Sequence, residues 1–572
     1  MKKIVFLAIT LAFVQGLFAQ HNEEVTIEGS YRPKVNKVNK IVLKPDTPEQ
    51  TFVMPESEVK VLDIEHRFGL NVEKFSPLSY NSKNVPGKNA AKNFLMAAFG
   101  SRISPVFLYR HNSNLSKNFG LSVGIKHYSS WLDMKDYAPS GFMNNAFEIG
   151  ISDNDLAGYR LDGKVYYKND VYHYYGIKTK DWLWDQVSLN HAAPEQTYNT
   201  IGTHWGFAPS TMSTGTLTHS VGLDYHYLFG VVGSGWEQFA KLDYDLGYAD
   251  NLWGRKDNPQ KMGVALSAQY GLVGFEELQG KYNRLLVKMN PYFEMKDDFY
   301  RLHLGVRMDV GTKFNSSDAL FRVYPDLTGS LFVLDNALEF YAGLNGGLKS
   351  YTYRELVEEN PFVATRLKMD ITNVKLGFDG GVRTNILNTV DVHVGVRYRH
   401  TDNDCFFNPR VVSAYNGMIE DRPYNSFDLV YDETKQVSVL GNVRWLIMDD
   451  LTLDAGFTYN KCDPAKEEHA WYRPTMEGNL NAVYQLNETL SINAAFCYQG
   501  GRLAKTRPTL GEAAKSIELK DAFDLGLGAE YKLKERFSVF VKAENLLNQK
   551  YPYYLDYPVM GIEAFAGLKL AF

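Results

Sequence analysis

The sequence predicts a transmembrane antiparallel β-barrel of about 22 strands, preceded by a short extended N-terminal segment. Three observations carry this. Apolar and polar residues alternate with period two over most of the 572 residues. Aromatic residues make up 14% of the chain, yet its mean hydropathy is only −0.30. No run of ~18 apolar residues, the length a helical span requires, occurs after the first 20 positions. In lipid every backbone N–H and C=O must be paired internally, so only helices or a closed barrel can cross. With helices excluded, the barrel remains.

The N-terminus carries an address. Met1, Lys2 and Lys3 form a basic start, Ile4 to Val14 is apolar, and Gly16-Leu17-Phe18-Ala19 ends in a small residue. Residues 1–19 therefore read as a secretory signal peptide cleaved after Ala19. No Cys comes directly after the apolar stretch, which argues against a lipid anchor. The net charge of −5 and a pI near 6.3 argue against a nucleic-acid partner. Three cysteines, Cys405, Cys462 and Cys497, exclude a disulfide-rich scaffold. Cys405 and Cys462 both fall at expected loops or strand tips, so one bridge between them stays open.

Residues 20–90 differ from the remainder of the chain. They hold Pro33, Pro45, Pro48, Pro55, Pro77 and Pro86, and a basic cluster of Arg32, Lys34, Lys37, Lys40 and Lys44. Periodicity is weak. An extended periplasmic segment is expected, disordered or ordered on a partner.

The barrel is expected over residues 91–572, with alternation starting near Asn93. Val390, Val392, Val394 and Val396 alternate with Asp391, His393, Gly395 and Arg397. Leu302, Leu304, Val306 and Met308 alternate with Arg301, His303, Gly305 and Arg307. Successive strand side chains point to opposite faces, so one face is apolar and the other charged or glycine. Connections alternate in length. Short ones include Lys296-Asp297-Asp298, Leu387-Asn388, Met448-Asp449-Asp450 and Lys534-Glu535; long ones include 130–143, 250–261, 348–371, 402–424 and 503–519. Short periplasmic turns and long external loops are the outer-membrane arrangement. Per-strand signals are weak, so a lower even number, 14–20, stays open.

The final strand places Phe572, Leu570, Leu568 and Ala566 on one face and Ala571, Lys569, Gly567 and Phe565 on the other. An alternating strand ending in an aromatic resembles the signal read by barrel-assembly machinery. That reading makes Leu568, Leu570 and Phe572 an assembly signal, and makes the machinery and outer-membrane lipid partners of the chain.

Just upstream, Phe537-Ser538-Val539-Phe540-Val541-Lys542-Ala543-Glu544-Asn545-Leu546-Leu547-Asn548-Gln549-Lys550-Tyr551 resembles the penultimate strand of TonB-dependent receptors. Leu547 stands where the family usually has Phe. Tyr551, Tyr553, Tyr554 and Pro558 supply the loop beyond it. At the front, Glu24-Val25-Thr26-Ile27-Glu28-Gly29-Ser30-Tyr31-Arg32-Pro33 resembles the TonB-box region of such receptors. The resemblance implies TonB, or another periplasmic protein, as a partner of residues 20–90. Those receptors carry a plug domain of well over a hundred residues between box and barrel. Only about 60 residues separate Pro33 from Asn93 here, so the chain resembles a plug-less relative. Phe99-Gly100, Ser104-Pro105 and Lys126-His127-Tyr128-Ser129-Ser130 are similar to plug-less barrels of the Bacteroidetes.

A zinc-protease pattern is absent, since no His-Glu-x-x-His occurs. His219 and His226 share one expected strand at odd spacing and so face opposite sides. Asp402-Asn403-Asp404 opens an expected loop and offers oxygens to a hard cation, but lacks the glycine and distal Glu of a calcium loop. Neither a metal, a cofactor nor an enzyme is expected. Arg301, Arg307, Arg397, Arg399, Lys542 and Lys569 should face the lumen, as should Asp309, Asp391, Glu530 and Glu544. Charges on the lipid face would cost ~2–4 kcal/mol each at midplane. Tyr166, Tyr167, Tyr172, Tyr174, Tyr175, Trp182 and Trp184 are expected in an interfacial girdle. The function this supports is receptor-like uptake or transport of a polar ligand across the outer membrane. The alternative is a non-transporting scaffold whose N-terminal segment binds partner proteins.

Overall fold

In a computed structural model, the described residues are 91–572, without 182–192, 211–213, 253–257, 276–279, 313–317, 335–336, 387–388, 411–413, 416–417, 420–424 and 507–513. The expected signal peptide, the 20–90 segment with its TonB-box-like start, Trp182, Trp184 and the expected Leu387-Asn388 turn lie outside the described residues.

Among the described residues, 22 strands form one antiparallel sheet. The first seven are Asn93–Gly100 (β1), Ser104–Asn114 (β2), Phe119–Ser130 (β3), Phe142–Leu156 (β4), Tyr159–His173 (β5), Glu195–Pro209 (β6) and Thr216–Gly230 (β7). Next come Trp236–Asp250 (β8), Gln260–Phe275 (β9), Gly280–Lys296 (β10), Tyr300–Thr312 (β11), Ala319–Val333 (β12), Leu338–Ser350 (β13), Ile371–Ile386 (β14) and Val390–Pro409 (β15). The rest are Phe427–Met448 (β16), Leu451–Pro464 (β17), Met476–Gln485 (β18), Leu490–Gly500 (β19), Ala522–Lys534 (β20), Phe537–Glu544 (β21) and Glu563–Ala571 (β22).

Each strand pairs with its sequence neighbours, and β1 pairs with β22 from Phe94↔Ala571 to Gly100↔Phe565. Asn93 N donates to Phe572 O at 2.8 Å and Phe572 N to Asn93 O at 2.9 Å. The sheet is therefore a closed barrel without a free edge. Its seam is backed on the inside by Met96, Val106, Tyr128, Phe540 and Phe565.

The period-two pattern decides the two faces. On β11, Leu304, Val306 and Val310 are exposed apolar side chains, while Asp309, of opposite parity, is fully buried. The same parity holds for exposed Val394 and Val396 on β15 and for Leu527 on β20 and Val541 on β21. An apolar belt facing outward and polar groups facing inward is the arrangement lipid demands.

Wall height varies. β1 and β21 have 8 residues each, whereas β15 has 20 and β16 has 22. About 11 residues suffice for a tilted span, so the upper part of β15 and β16, from about Thr401, stands beyond the membrane. This corrects one expectation. Asp402-Asn403-Asp404 does not open a loop; it sits inside β15 at a bulge between Thr401 and Asp404, with Asn403 at φ 55°. The ladder to β16 resumes above it, which carries both strands past the bilayer. A second correction concerns 250–261. This connection leaves β8, which runs away from the long-loop end, so it belongs with the short turns.

Candidate functional site

The connection between β13 and β14, residues 351–370, does not project outward. It turns into the mouth of the barrel at the long-loop end, the external end in outer-membrane barrels. Its first turn is a helix, Tyr353–Glu359 (α1). Thr352 is extended and its hydroxyl accepts from Glu355 N, while the Glu355 side chain accepts from the Thr352 amide. This reciprocal capping box satisfies two orphan donors of the helix start. A Thr-x-x-Glu within the expected loop 348–371 was the sequence signal for this helix.

The remaining donors are taken by the wall. Glu237 on β8 is fully buried and accepts from Tyr353 N at 2.8 Å and Arg354 N at 3.1 Å. Arg284 on β10 donates to Glu237 Oε1 at 3.0 Å, and His226 on β7 lies 3.2 Å from Oε2. Arg284 also donates to Ser350 Oγ at 3.1 Å and to Tyr351 O. A buried carboxylate with four partners is a strong anchor, because charge-assisted hydrogen bonds in a dry site outweigh neutral ones. On the other side of α1, Arg354 donates to Tyr166 Oη at 2.7 Å and Glu358 pairs with Lys168 at 3.2 Å, both on β5.

Beyond α1 the chain is irregular, so its carbonyls need outside partners. Tyrosine hydroxyls supply them. Tyr554 donates to Glu359 O at 3.1 Å, Tyr198 to Pro361 O at 3.1 Å and Tyr174 to Val363 O at 2.9 Å. Phe427 at the tip of β16 donates to Phe362 O and accepts from Ala364 N. The loop thus spans the mouth from β8 to β16. Gly233 in the β7–β8 turn lies against it at φ 70°, where a Cβ would meet Thr365 at 2.2 Å.

The loop also carries a buried apolar core. Val363, Ala364, Leu367 and Met369 have no exposed surface. They pack with Leu228, Val273, Phe275, Phe407 and Phe427 from the wall and Tyr554 and Tyr557 from the β21–β22 loop. Phe362 and Tyr557 stack at 3.7 Å, and Tyr353 meets Phe275 edge-on at 5.2 Å. Tyr174 and Tyr175 belong to this core, not to a membrane girdle as expected. They lie just past the end of β5, and the loops fold inward there. Tyr166 faces the interior and reaches Arg354, whereas Tyr167 is exposed on the outer face.

Below the dome the wall carries an ion-pair lattice. Arg397 and Arg399 both bind Asp379, at 2.9 and 2.7 Å. Arg307 binds Asp326 at 3.3 Å and Gly346 O at 3.0 Å. Lys542 pairs with Glu544 and Lys569 with Glu530, each at 2.5 Å. Asp391 accepts from Asn385 at 2.6 Å, Asp309 accepts from Leu348 N at 2.8 Å, and Arg301 lies 5.6 Å from the Phe332 ring. The structure places all ten lumen candidates on the face opposite the apolar belt, but spreads them around the wall instead of gathering them at one point. His226 is one of the dome's anchors; His219 faces outward and contacts Tyr244 at 2.6 Å.

The protruding part of β15 is held by a loop arginine. Arg473 contacts both oxygens of Asp404, at 2.7 and 2.8 Å, and Thr434 donates to the same carboxylate. Burial alone would raise the Asp404 carboxyl, but Arg473 and these hydrogen bonds hold it below the usual carboxylate range. Asp402 pairs with Lys375 at 2.6 Å. Among the described residues no group of His, Cys, Asp and Glu is arranged to hold a metal. Cys405, Cys462 and Cys497 are free thiols, so the bridge left open between the first two is not formed.

Glu237, Arg284 and Tyr198 escaped sequence reasoning, since each reads as an ordinary strand residue until the loop is known to fold onto it; His226, Tyr174 and Tyr554 were singled out in the sequence, but not as partners of this loop.

Comparison with known proteins gives a consistent picture. A family model described as Helicobacter outer membrane protein matches residues 245–429. Among solved structures, the ferric-catecholate import receptor Fiu from E. coli K12 is similar at 10% identity and a TM-score of 0.61, over 85% of this chain and 82% of that one. The pyoverdine receptor FpvA from Pseudomonas aeruginosa PAO1 is similar at 11% identity and 0.64, over 85% and 79%. The FrpB iron transporter from Neisseria meningitidis is similar at 11% identity and 0.63, over 86% and 83%. At such identities the likeness is one of fold. Curated protein sequences give no match. The chain is an outer-membrane β-barrel built like those of TonB-dependent transporters.

Proposed function

We propose that this barrel takes up a polar ligand across the outer membrane, through a lumen that loop 351–370 closes at rest. The observation that carries this is the contrast between mouth and wall. At the mouth, loop 351–370 packs with the wall in a buried, largely apolar cluster. The wall below it keeps charged side chains half exposed, such as Asp162, His204 and Asp224. A barrel meant only as a rigid stake gains nothing from a solvated charged interior. A conduit needs one, together with a removable stopper. The N-terminal segment is the part of the chain to engage TonB or another periplasmic protein.

The alternative, a scaffold that never conducts, is favoured by the same dome if it never opens. Planar-bilayer conductance separates the two. The full chain should be silent, and a variant with residues 352–369 replaced by a short Gly-Ser linker should show steps. A linker variant that is folded by heat-modifiable gel mobility yet silent would overturn the conduit reading.

A further inference from the structure

The barrel wall is lowest where it closes. β21, β22 and β1, of 8, 9 and 8 residues, are the three shortest of the 22 strands and stand side by side. A tilted membrane strand needs ~9–11 residues, so the seam crosses lipid with nothing to spare. β1 and β22 are also the one neighbouring pair that no connection joins, since they carry the two ends of the barrel. Every other pair is tethered by a turn or loop. Hydrogen bonds hold the top of the seam instead. Ser101 N donates to Ala564 O at 2.8 Å, Ala564 N to Ser101 Oγ at 3.1 Å, and Ser104 Oγ to Glu563 Oε1 at 2.6 Å.

Both sides of this seam are apolar. On the lipid side lies a groove of about 680 Å³, where Phe99, Ile492, Leu527 and Val541 stand around the smaller Ala543 and Ala566. Lys542, the charged residue of its lining, pairs with Glu544 at 2.5 Å. On the lumen side Met96, Phe540 and Phe565 pack with Val106 and Tyr128. Phe565 borders both the groove and this inner cluster. Between the two the wall is reduced to backbone. A Cβ on Gly567 would fall 2.7 Å from the Phe540 ring, and one on Gly100 2.6 Å from the Phe565 ring. The ion pairs that line the lumen elsewhere, such as Arg397–Asp379, give way here to rings and a thioether.

The groove is continuous with the lipid-facing belt through exposed Leu527 and Val541, so acyl chains are what surrounds it. An acyl chain loses by entering a polar lumen but little by entering an apolar patch. Parting ladder hydrogen bonds in lipid is costly, and short, untethered strands leave few to part. We infer that the β1–β22 seam is a lateral doorway. Through it the acyl chain of a single-chain amphiphile, of the fatty-acid class, passes between the outer groove and the inner cluster. Loop 351–370 need not move for this, so the doorway goes beyond the conduit reading and survives its failure.

Photolabelling of the full chain in phospholipid vesicles tests it. The probe is a palmitate with a diazirine near its methyl end, and mass spectrometry maps the adducts. Adducts are expected on Phe99 and Val541 in the groove, and also on Met96, Phe540 or Phe565, which an opened seam presents to acyl chains. Two cysteine pairs lock the seam: Ala97→Cys with Leu568→Cys, and Phe99→Cys with Ala566→Cys, each directly opposed across it. Both are checked for folding by heat-modifiable gel mobility. A disulfide removes the open state, so each lock should cut the lumenal adducts at least about tenfold, leave those on Val541 unchanged, and be reversed by dithiothreitol. Lumenal adducts absent from the unlocked protein, or undiminished in both locked ones, would overturn the inference. Planar-bilayer conductance of the linker variant reads the mouth separately. Lock-sensitive labelling with a silent linker variant sinks the conduit and leaves the doorway; conductance steps without lumenal labelling do the reverse.

Discussion

Glu237 on the wall accepts a 2.8 Å hydrogen bond from the amide of Tyr353, the first residue of the helix at the barrel mouth. Through this contact a barrel strand 116 residues away in sequence fixes the start of loop helix α1.

Replacing that carboxylate should loosen the dome. Glu237→Gln leaves Arg284 buried without its counter-charge, a loss of about 3–5 kcal/mol when one partner of a buried pair is removed. The barrel ladder does not depend on it. The expected result is a folded barrel that conducts in a planar bilayer where the parent is silent. An unchanged, silent variant would remove Glu237 as the latch.

The Asp404–Arg473 pair should hold the tall side of the mouth. Asp404 has its carboxyl depressed in the folded state, so its contribution is fully present above the ordinary carboxylate range and is lost as pH falls below it. Arg473→Met should cost about 3–5 kcal/mol, since it strands a buried carboxylate, and should abolish that acid sensitivity. Limited proteolysis of the 465–475 loop between pH 3 and 7 reads both.

Burial pushes the Cys405 thiol up to about 12. At pH 8 only about one thiol in 10⁴ would then be thiolate, the reactive form. Cys405 should resist maleimide in the folded protein and react fully after denaturation. Mass spectrometry of the labelled peptides checks this, and rapid native labelling would show the site to be open.

The outer belt should reject charge. Val541 is exposed on the apolar face of β21, next to inward Lys542. Val541→Arg should destabilise the folded barrel by about 2–4 kcal/mol if near midplane, whereas Lys542→Arg should be nearly silent. Urea midpoints of refolding in lipid vesicles give the comparison.

The barrel itself was legible in the amino-acid order. Period two in stretches such as Leu302–Met308 and Val390–Arg397 fixes which side chains can meet lipid, and lipid tolerates no unpaired backbone, so alternation over the chain leaves a closed sheet as the solution. Parity alone also put each lumen candidate on the interior face. The destinations of the loops, by contrast, emerged only with the three-dimensional fold. Asp402–Asp404 reads as a loop start, yet a bulge lets β15 continue; Tyr174 and Tyr175 read as a girdle, yet close the mouth. Both depend on contacts between residues far apart in the chain, Asp404 with Arg473 and Tyr174 with Val363. Local periodicity carries no information about such pairs. The lumen of a barrel is shaped by what folds into it, and the residues that receive loop 351–370 acquire that role only when it arrives.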